Sequence, residues 1–311
     1  MLGAVFALLS ALSFSLQNIM ARRGVAEAPA SAGAFITVLL GVPIFVIGAL
    51  VTGQLFDVDL LSLKDYALLA AAGVIHFVLG RSFNYQAVAA IGATRAGPVQ
   101  ALTTPYSILI AVLFLGEDVS LVMAVGIVFI LLGPAIMVER RARRPIAAVV
   151  STSDSSTGTD STFELHQVQG YMSAGVAAMA YGSSPVFIRA ALEGHSDLSV
   201  VGGLISYAAA ASLMLASLAL PGRGELIASM RPSVVRLFIG AGFFVAMAQM
   251  FRFVALSLAP VTVVTTLTRS GSIFTLGLSW LVNRHLELIT LRVVLGVIVS
   301  VLGALVLVAS S

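Results

Sequence analysis

The chain contains no cysteine among its 311 residues, which excludes disulfides, thiol nucleophiles and thiolate-bound metal. Charge is scarce too: charged residues make up 10% of the sequence against 59% hydrophobic, and mean hydropathy is +1.05. Soluble domains carry about 25% charged residues, so this chain cannot face water on all sides. No G-x-x-x-x-G-K-[ST] loop occurs, so nothing points to ATP-driven work. The net charge of +3 is spread around loops, and the one basic run, Arg140 to Arg144, lies against an apolar run, so no nucleic-acid partner is expected. No cofactor signature is found, and no catalytic residue or metal site is expected. Acidic groups avoid the apolar runs altogether. Each of the fourteen Asp and Glu residues lies between runs, at a run's end or in a polar middle segment.

What the chain does have is long apolar runs. About 20 apolar residues in a helix cross the bilayer core. Ten such runs read as helical spans, at 2–21, 33–52, 66–88, 94–115, 120–138, 167–188, 198–220, 234–256, 261–282 and 289–309. Between the fifth and sixth lies the one extended polar segment, 139–166, with a basic start and a Ser/Thr-rich body typical of a linker. The expected organisation is therefore a first unit at 1–138, a linker at 139–166 and a second unit at 167–311.

The two units repeat one another. Arg81 to Ala89 reads RSFNYQAVA, and Gln249 to Ser257, 168 positions on, reads QMFRFVALS. Phe83 falls on Phe251, Tyr85 on Phe253 and Ala87 on Ala255. The segment leading to Gly126 and Gly133 is echoed by the one leading to Gly296 and Gly303. Solenoid repeats run to about 20–50 residues, so a period this long marks a half-protein. Five spans per half is an odd number, which requires the halves to cross the membrane in opposite senses. That is the inverted repeat of secondary transporters, with a site expected at the repeat interface near the midplane.

Phe14–Ser15 followed by Arg22 recurs as Tyr181–Gly182 followed by Arg189. A third span with Ala87–Ala89 or Ala255–Leu258, a fourth with Pro105 ending in LGED, and a Gly-rich fifth complete the pattern. The chain resembles the drug/metabolite transporter superfamily, and within it the EamA family of two five-helix repeats. In the second half Pro105 has no proline counterpart and the GE pair is reduced to Arg284–Glu287. The resemblance implies an all-α integral membrane fold and a secondary carrier of small organic solutes, not an enzyme.

Buried ionisable groups point to the solute. A charge at the bilayer centre costs about 2.5–3.5 kcal/mol on insertion scales, so one that stays there is a functional candidate. The cations within spans are Arg81, Arg252 and Arg269, with His76 on the same span as Arg81. Arginines without a carboxylate suit an anionic group, which the guanidinium fork meets in bidentate fashion. Gln100 and Thr104, in a fourth span interrupted by Pro98 and Pro105, and Asn84 complete the expected solute site of Arg269, Arg252 and Arg81. His76 is the candidate proton relay, since an ordinary imidazole titrates within reach of a physiological pH gradient. Packing is the competing role for the intramembrane amides, for Tyr85, Tyr106 and Trp280, and for the paired glycines.

The expected activity is secondary transport of anionic or zwitterionic metabolites such as amino acids or organic acids, by export or exchange. A lipid-linked flippase of the same superfamily and, behind it, an intramembrane transferase are the alternatives. The expected partners are a small-molecule solute and the bilayer of the cell (inner or plasma) membrane, with protons and a second copy of the chain left open. Twelve Lys and Arg residues fall on the linker side of the spans and two, Lys64 and Arg189, on the other. The positive-inside rule thus sets the linker in the cytoplasm and both termini outside. EamA proteins are usually drawn with both termini cytoplasmic, so the two expectations disagree.

Overall fold

The computed structural model describes residues 1–24, 30–91, 99–100, 102–137, 160–219, 231–271, 274, 277–278 and 291–310. All elements among them are helical. In the first half these are α1 (Leu2–Gly24), α2 (Ala30–Val51), α3 (Leu63–Gly73), a π-helical stretch Val74–Gly80, α4 (Arg81–Ile91), α5 (Thr103–Leu115) and α6 (Leu121–Met137). The second half holds α7 (Asp160–Leu192), α8 (Ser199–Ala216), α9 (Pro232–Leu258), α10 (Val261–Arg269) and α11 (Leu291–Ser310). Short 3-10 turns at Gln54–Phe56, Val58–Leu60, Ser196–Leu198 and Ser217–Ala219 link or end them.

By length and composition, four described helices can cross a membrane: Ala32–Val51, Leu63–Asn84, Ser196–Ala216 and Pro232–Leu258. Leu2–Gln17, Thr103–Leu115 and Leu121–Leu132 are shorter apolar helices. The helix that starts α7 begins at Asp160, already within the segment expected as linker. Gly97, Pro98, Trp280 and linker residues 139–159 lie outside the described residues, as do the side chains of Arg22 and Tyr85.

Local chemistry sets the helix ends. Ser62 and Asp65 form a capping box at the start of α3, with Ser62 N–H donating to Asp65 Oδ2 at 2.9 Å. Pro232 sits in the first turn of α9, where its missing N–H costs nothing. Gly53 and Gly116 end α2 and α5 with φ of 75° and 65°, a left-handed turn that glycine adopts without strain.

The helices pack mainly across the two halves: α1 against α9, α4 and α3 against α7, α2 and α3 against α8, α5 against α10 and α6 against α11. Small residues allow the closest approaches. A Cβ on Gly126 would meet the Gly303 carbonyl at 3.1 Å, and one on Gly303 would meet the Gly126 carbonyl at 2.8 Å. Gly126 on α6 and Gly303 on α11 therefore face one another, as small residues do in membrane helix pairs. Ser206 Oγ donates to Leu69 O at 2.7 Å between α8 and α3, and Ser10 Oγ to Ala248 O at 2.8 Å between α1 and α9. These hydroxyls satisfy acceptors across apolar contacts where no water competes.

Candidate functional site

A cavity of about 670 Å³ lies where α1, the π stretch, α5, α7, α9 and α10 converge. Its wall includes Arg252 and Arg269, His76, Gln100 and Thr104, so five of the seven expected site residues share one chamber. Arg252, Arg269, His76 and Thr104 are placed by four different elements. Arg252 lies in the last third of α9, only 7% exposed, and donates to Gln249 Oε1 at 3.1 Å and Ser184 Oγ at 3.4 Å. Gln249 is one helical turn earlier on α9, which is the spacing that brings side chains together. Gln249 Nε2 lies 3.2 Å from His76 Nε2, and Arg252 Nη1 lies 3.5 Å from His76 Nδ1.

Both side-chain nitrogens facing the imidazole belong to donor groups, and a neutral ring accepts at only one of its nitrogens, so the tautomer decides whether it takes its hydrogen bond from Gln249 or from Arg252. Two T-shaped ring contacts fix its plane, with Phe77 at 4.9 Å and Tyr181 at 4.8 Å. His76 sits within the π-helical stretch, a distortion of α winding that recurs at functional sites.

Arg269 ends α10 and lines the same cavity. Its Nε donates to Thr104 Oγ1 at 2.7 Å and its Nη2 to the Gln100 carbonyl at 3.2 Å, across to the other half of the chain. Thr265 and Thr268 lie four and one positions earlier and also line the cavity, while Thr266 is fully buried elsewhere. That is the face selection of a helix with 3.6 residues per turn. Thr265, Thr266 and Thr268 donate their hydroxyls to carbonyls of the preceding turn at 2.6–2.7 Å, so a polar face survives in an apolar bundle.

Two expected site residues stand elsewhere. Arg81 does not line the cavity; it donates to Thr37 Oγ1 on α2 at 2.9 Å and lies over the Phe77 ring at 5.6 Å. Asn84 stands one bond behind the wall, where its Oδ1 accepts from Gln100 Nε2. Arg189 donates to the carbonyls of Leu256 and Ser257, so it caps the end of α9 and not that of its own helix. The cavity also uses residues not expected there: Phe14 and Ser15 of α1, Tyr181 and Pro185 of α7, Thr103 and Ser107 of α5. Phe14 and Tyr181 hold the same place in the repeated motif, and that match was the available signal. Ser107 Oγ is buried and has no hydrogen-bond partner among the described residues.

No carboxylate pairs with Arg252 among the described residues, and no cluster of three or more His, Asp or Glu side chains occurs among them. The chamber thus combines two arginines with the hydroxyls of Thr103, Thr104, Thr265 and Thr268 and the rings of Phe14 and Tyr181.

The EamA-like transporter family matches residues 1–138 and again 168–309. The chain belongs to that family. It is accordingly a multi-pass membrane transporter of the drug/metabolite type, acting on a small-molecule solute within a lipid bilayer. A solved crystal structure superposes on it with a TM-score of 0.71 at 16% identity, over 98% of this chain and 95% of the other. At that identity the likeness speaks for the EamA-like fold alone. No curated protein matches the sequence.

Proposed function

We propose that this EamA-like transporter is a secondary carrier of small anionic or zwitterionic metabolites, which it binds between Arg252 and Arg269 and moves by alternating access. The observation that carries this reading is that two arginines line one cavity, with no acidic partner on Arg252 among the described residues. Guanidinium groups are weakly hydrated for cations and offer planar forks to carboxylates, so an acidic solute supplies the missing counter-charge. Ser107, Gln100, Thr103, Thr265 and Thr268 provide hydrogen bonds to its neutral polar groups. Phe14 and Tyr181 provide an apolar wall.

Reciprocal packing supports two inverted five-helix repeats, 1–138 and 167–311, as the moving units. The first helix of each half packs on the third-span helix of the other: α1 on α9, and α7 on α3 and α4. A twofold relation between halves produces that exchange, and it favours rocking of the repeats about a central site. Uptake of radiolabelled amino and organic acids into proteoliposomes, with and without a pH gradient, tests the solute class.

Among the described wall residues there is no carboxylate, so His76 is the group there through which a proton would couple. His76→Gln is expected to remove stimulation of uptake by a pH gradient while counterflow exchange of the same solute persists. Equal loss of both activities would mark His76 as a support for Arg252 only. The charge bias of the loops favours a cytoplasmic linker and external termini. A reporter fused after Ser311 is then expected to be active outside the cytoplasm; activity only in the cytoplasm overturns that orientation.

A further inference from the structure

Two second-half helices begin without a cap of their own. The residue preceding α8 is Leu198 and that preceding α10 is Pro260, and neither provides a side-chain hydrogen bond. Their first turns are nevertheless buried: Ser199, Val200 and Val201 are at most 4% exposed, and Val261 to Val264 are inaccessible. Free N–H groups buried away from water are costly, so a partner has to come from somewhere.

In both cases it comes from the first half. Gln54 Oε1 accepts from the N–H groups of Val200 and Val201 at 2.8 and 3.2 Å. Glu117 accepts from Val261 at 2.5 Å through Oε1 and from Thr262 at 2.9 Å through Oε2. Each capping residue directly follows a left-handed glycine, Gly53 or Gly116, that turns the chain out of a first-half helix. The two contacts belong to one end of the bundle. Ser257 Oγ donates to Ser196 O at 3.3 Å, joining the start of α8 to the end of α9, and α10 begins three residues after that helix ends. A carboxylate at a helix N-terminus is further favoured by the helix dipole.

We propose that Gln54 and Glu117 form a latch between the halves that holds this end of the transporter shut, and that both caps release when the cavity opens toward it. The proposal rests on the alternating-access reading above. Glu117 acts on the same short helix whose other end carries Arg269, so release of its cap frees the arginine-bearing wall to move with its repeat.

The absence of cysteine allows a direct test. Thr268→Cys places one thiol in the cavity, and Asp57→Cys, exposed beside Gln54, marks the face at this end. A membrane-impermeant maleimide is applied to right-side-out and inverted vesicles. With the latch intact, Thr268→Cys is expected to react from both faces but slowly from the marked one. Adding Gln54→Ala and Glu117→Ala should speed labelling from the marked face about tenfold and slow it from the other. Gln54→Glu, which strengthens the cap, should slow labelling from the marked face severalfold and keeps the test open if the alanine variants fail to fold. Asp65→Ala removes a cap within the first half and should leave the ratio of the two rates unchanged. If the wild-type background reacts from both faces and none of the latch variants alters the ratio, Gln54 and Glu117 are static caps and the latch is overturned while alternating access stands. Labelling confined to one face in every variant overturns alternating access itself, and the latch with it.

Discussion

Arg269→Gln is expected to lower solute uptake by roughly 10- to 100-fold, with the protein still folded. Its guanidinium lines the cavity and holds Thr104 and the Gln100 carbonyl, so its charge lies within reach of a solute there. A hydrogen bond to a charged group contributes about 1.5–3 kcal/mol, or roughly one to two decades in affinity. Glutamine preserves a donor and loses the charge, so the loss should appear as a raised half-saturation concentration for anionic solutes. Arg252→Gln should do the same, with an added effect through His76 and Gln249, which share its network. Arg81→Gln should leave affinity within about threefold, because its side chain is engaged with Thr37 and Phe77 outside the cavity. Kinetics of uptake for the three variants separate a wall residue from a packing residue.

Gly73→Ala is expected to have the largest effect on folding of any single methyl addition. A Cβ at Gly73 would fall on the Ser206 carbonyl of α8, and backbone cannot swing aside as a side chain can. The same close approach carries the Ser206 to Leu69 hydrogen bond, so separating α3 from α8 weakens that as well. Overpacking commonly costs about 1–3 kcal/mol, and a backbone clash lies at or beyond the upper end, roughly 5–10 °C in unfolding midpoint for a chain of this size. Gly175→Ala, with nothing within 4 Å of the added carbon, should be neutral or stabilising. Thermal unfolding in detergent of the two variants side by side checks the contrast.

The membrane class was legible because it is written in composition: ten apolar runs and 10% charge leave no soluble alternative. The gathering of Arg252, Arg269, His76, Gln100 and Thr104 at one cavity was legible for a related reason. Polar groups inside apolar runs cannot face lipid, so they converge. Arg81 escaped that logic because a lipid-avoiding arginine has more than one refuge, and here Thr37 of α2, 44 positions away, provides it. Winding misleads at the same place, since Val74–Gly80 is π-helical and an α-helical wheel does not apply there. Phe14, Tyr181 and Ser107 gave no signal from composition, because apolar and small residues are unremarkable in an apolar chain. Glu117 was visible only as part of a family-like GED segment. Its function depends on backbone N–H groups 144 and 145 positions away, which no local pattern encodes.

The most direct measurement is counterflow in proteoliposomes loaded with a mixture of amino and organic acids, comparing the wild-type chain with Arg252→Gln/Arg269→Gln. The account predicts that the wild type accumulates at least one labelled anionic or zwitterionic solute without ATP, and that the double variant reduces this at least about 100-fold while remaining folded. Wild-type exchange confined to organic cations, or a double variant that exchanges acids as fast as the wild type, would contradict it.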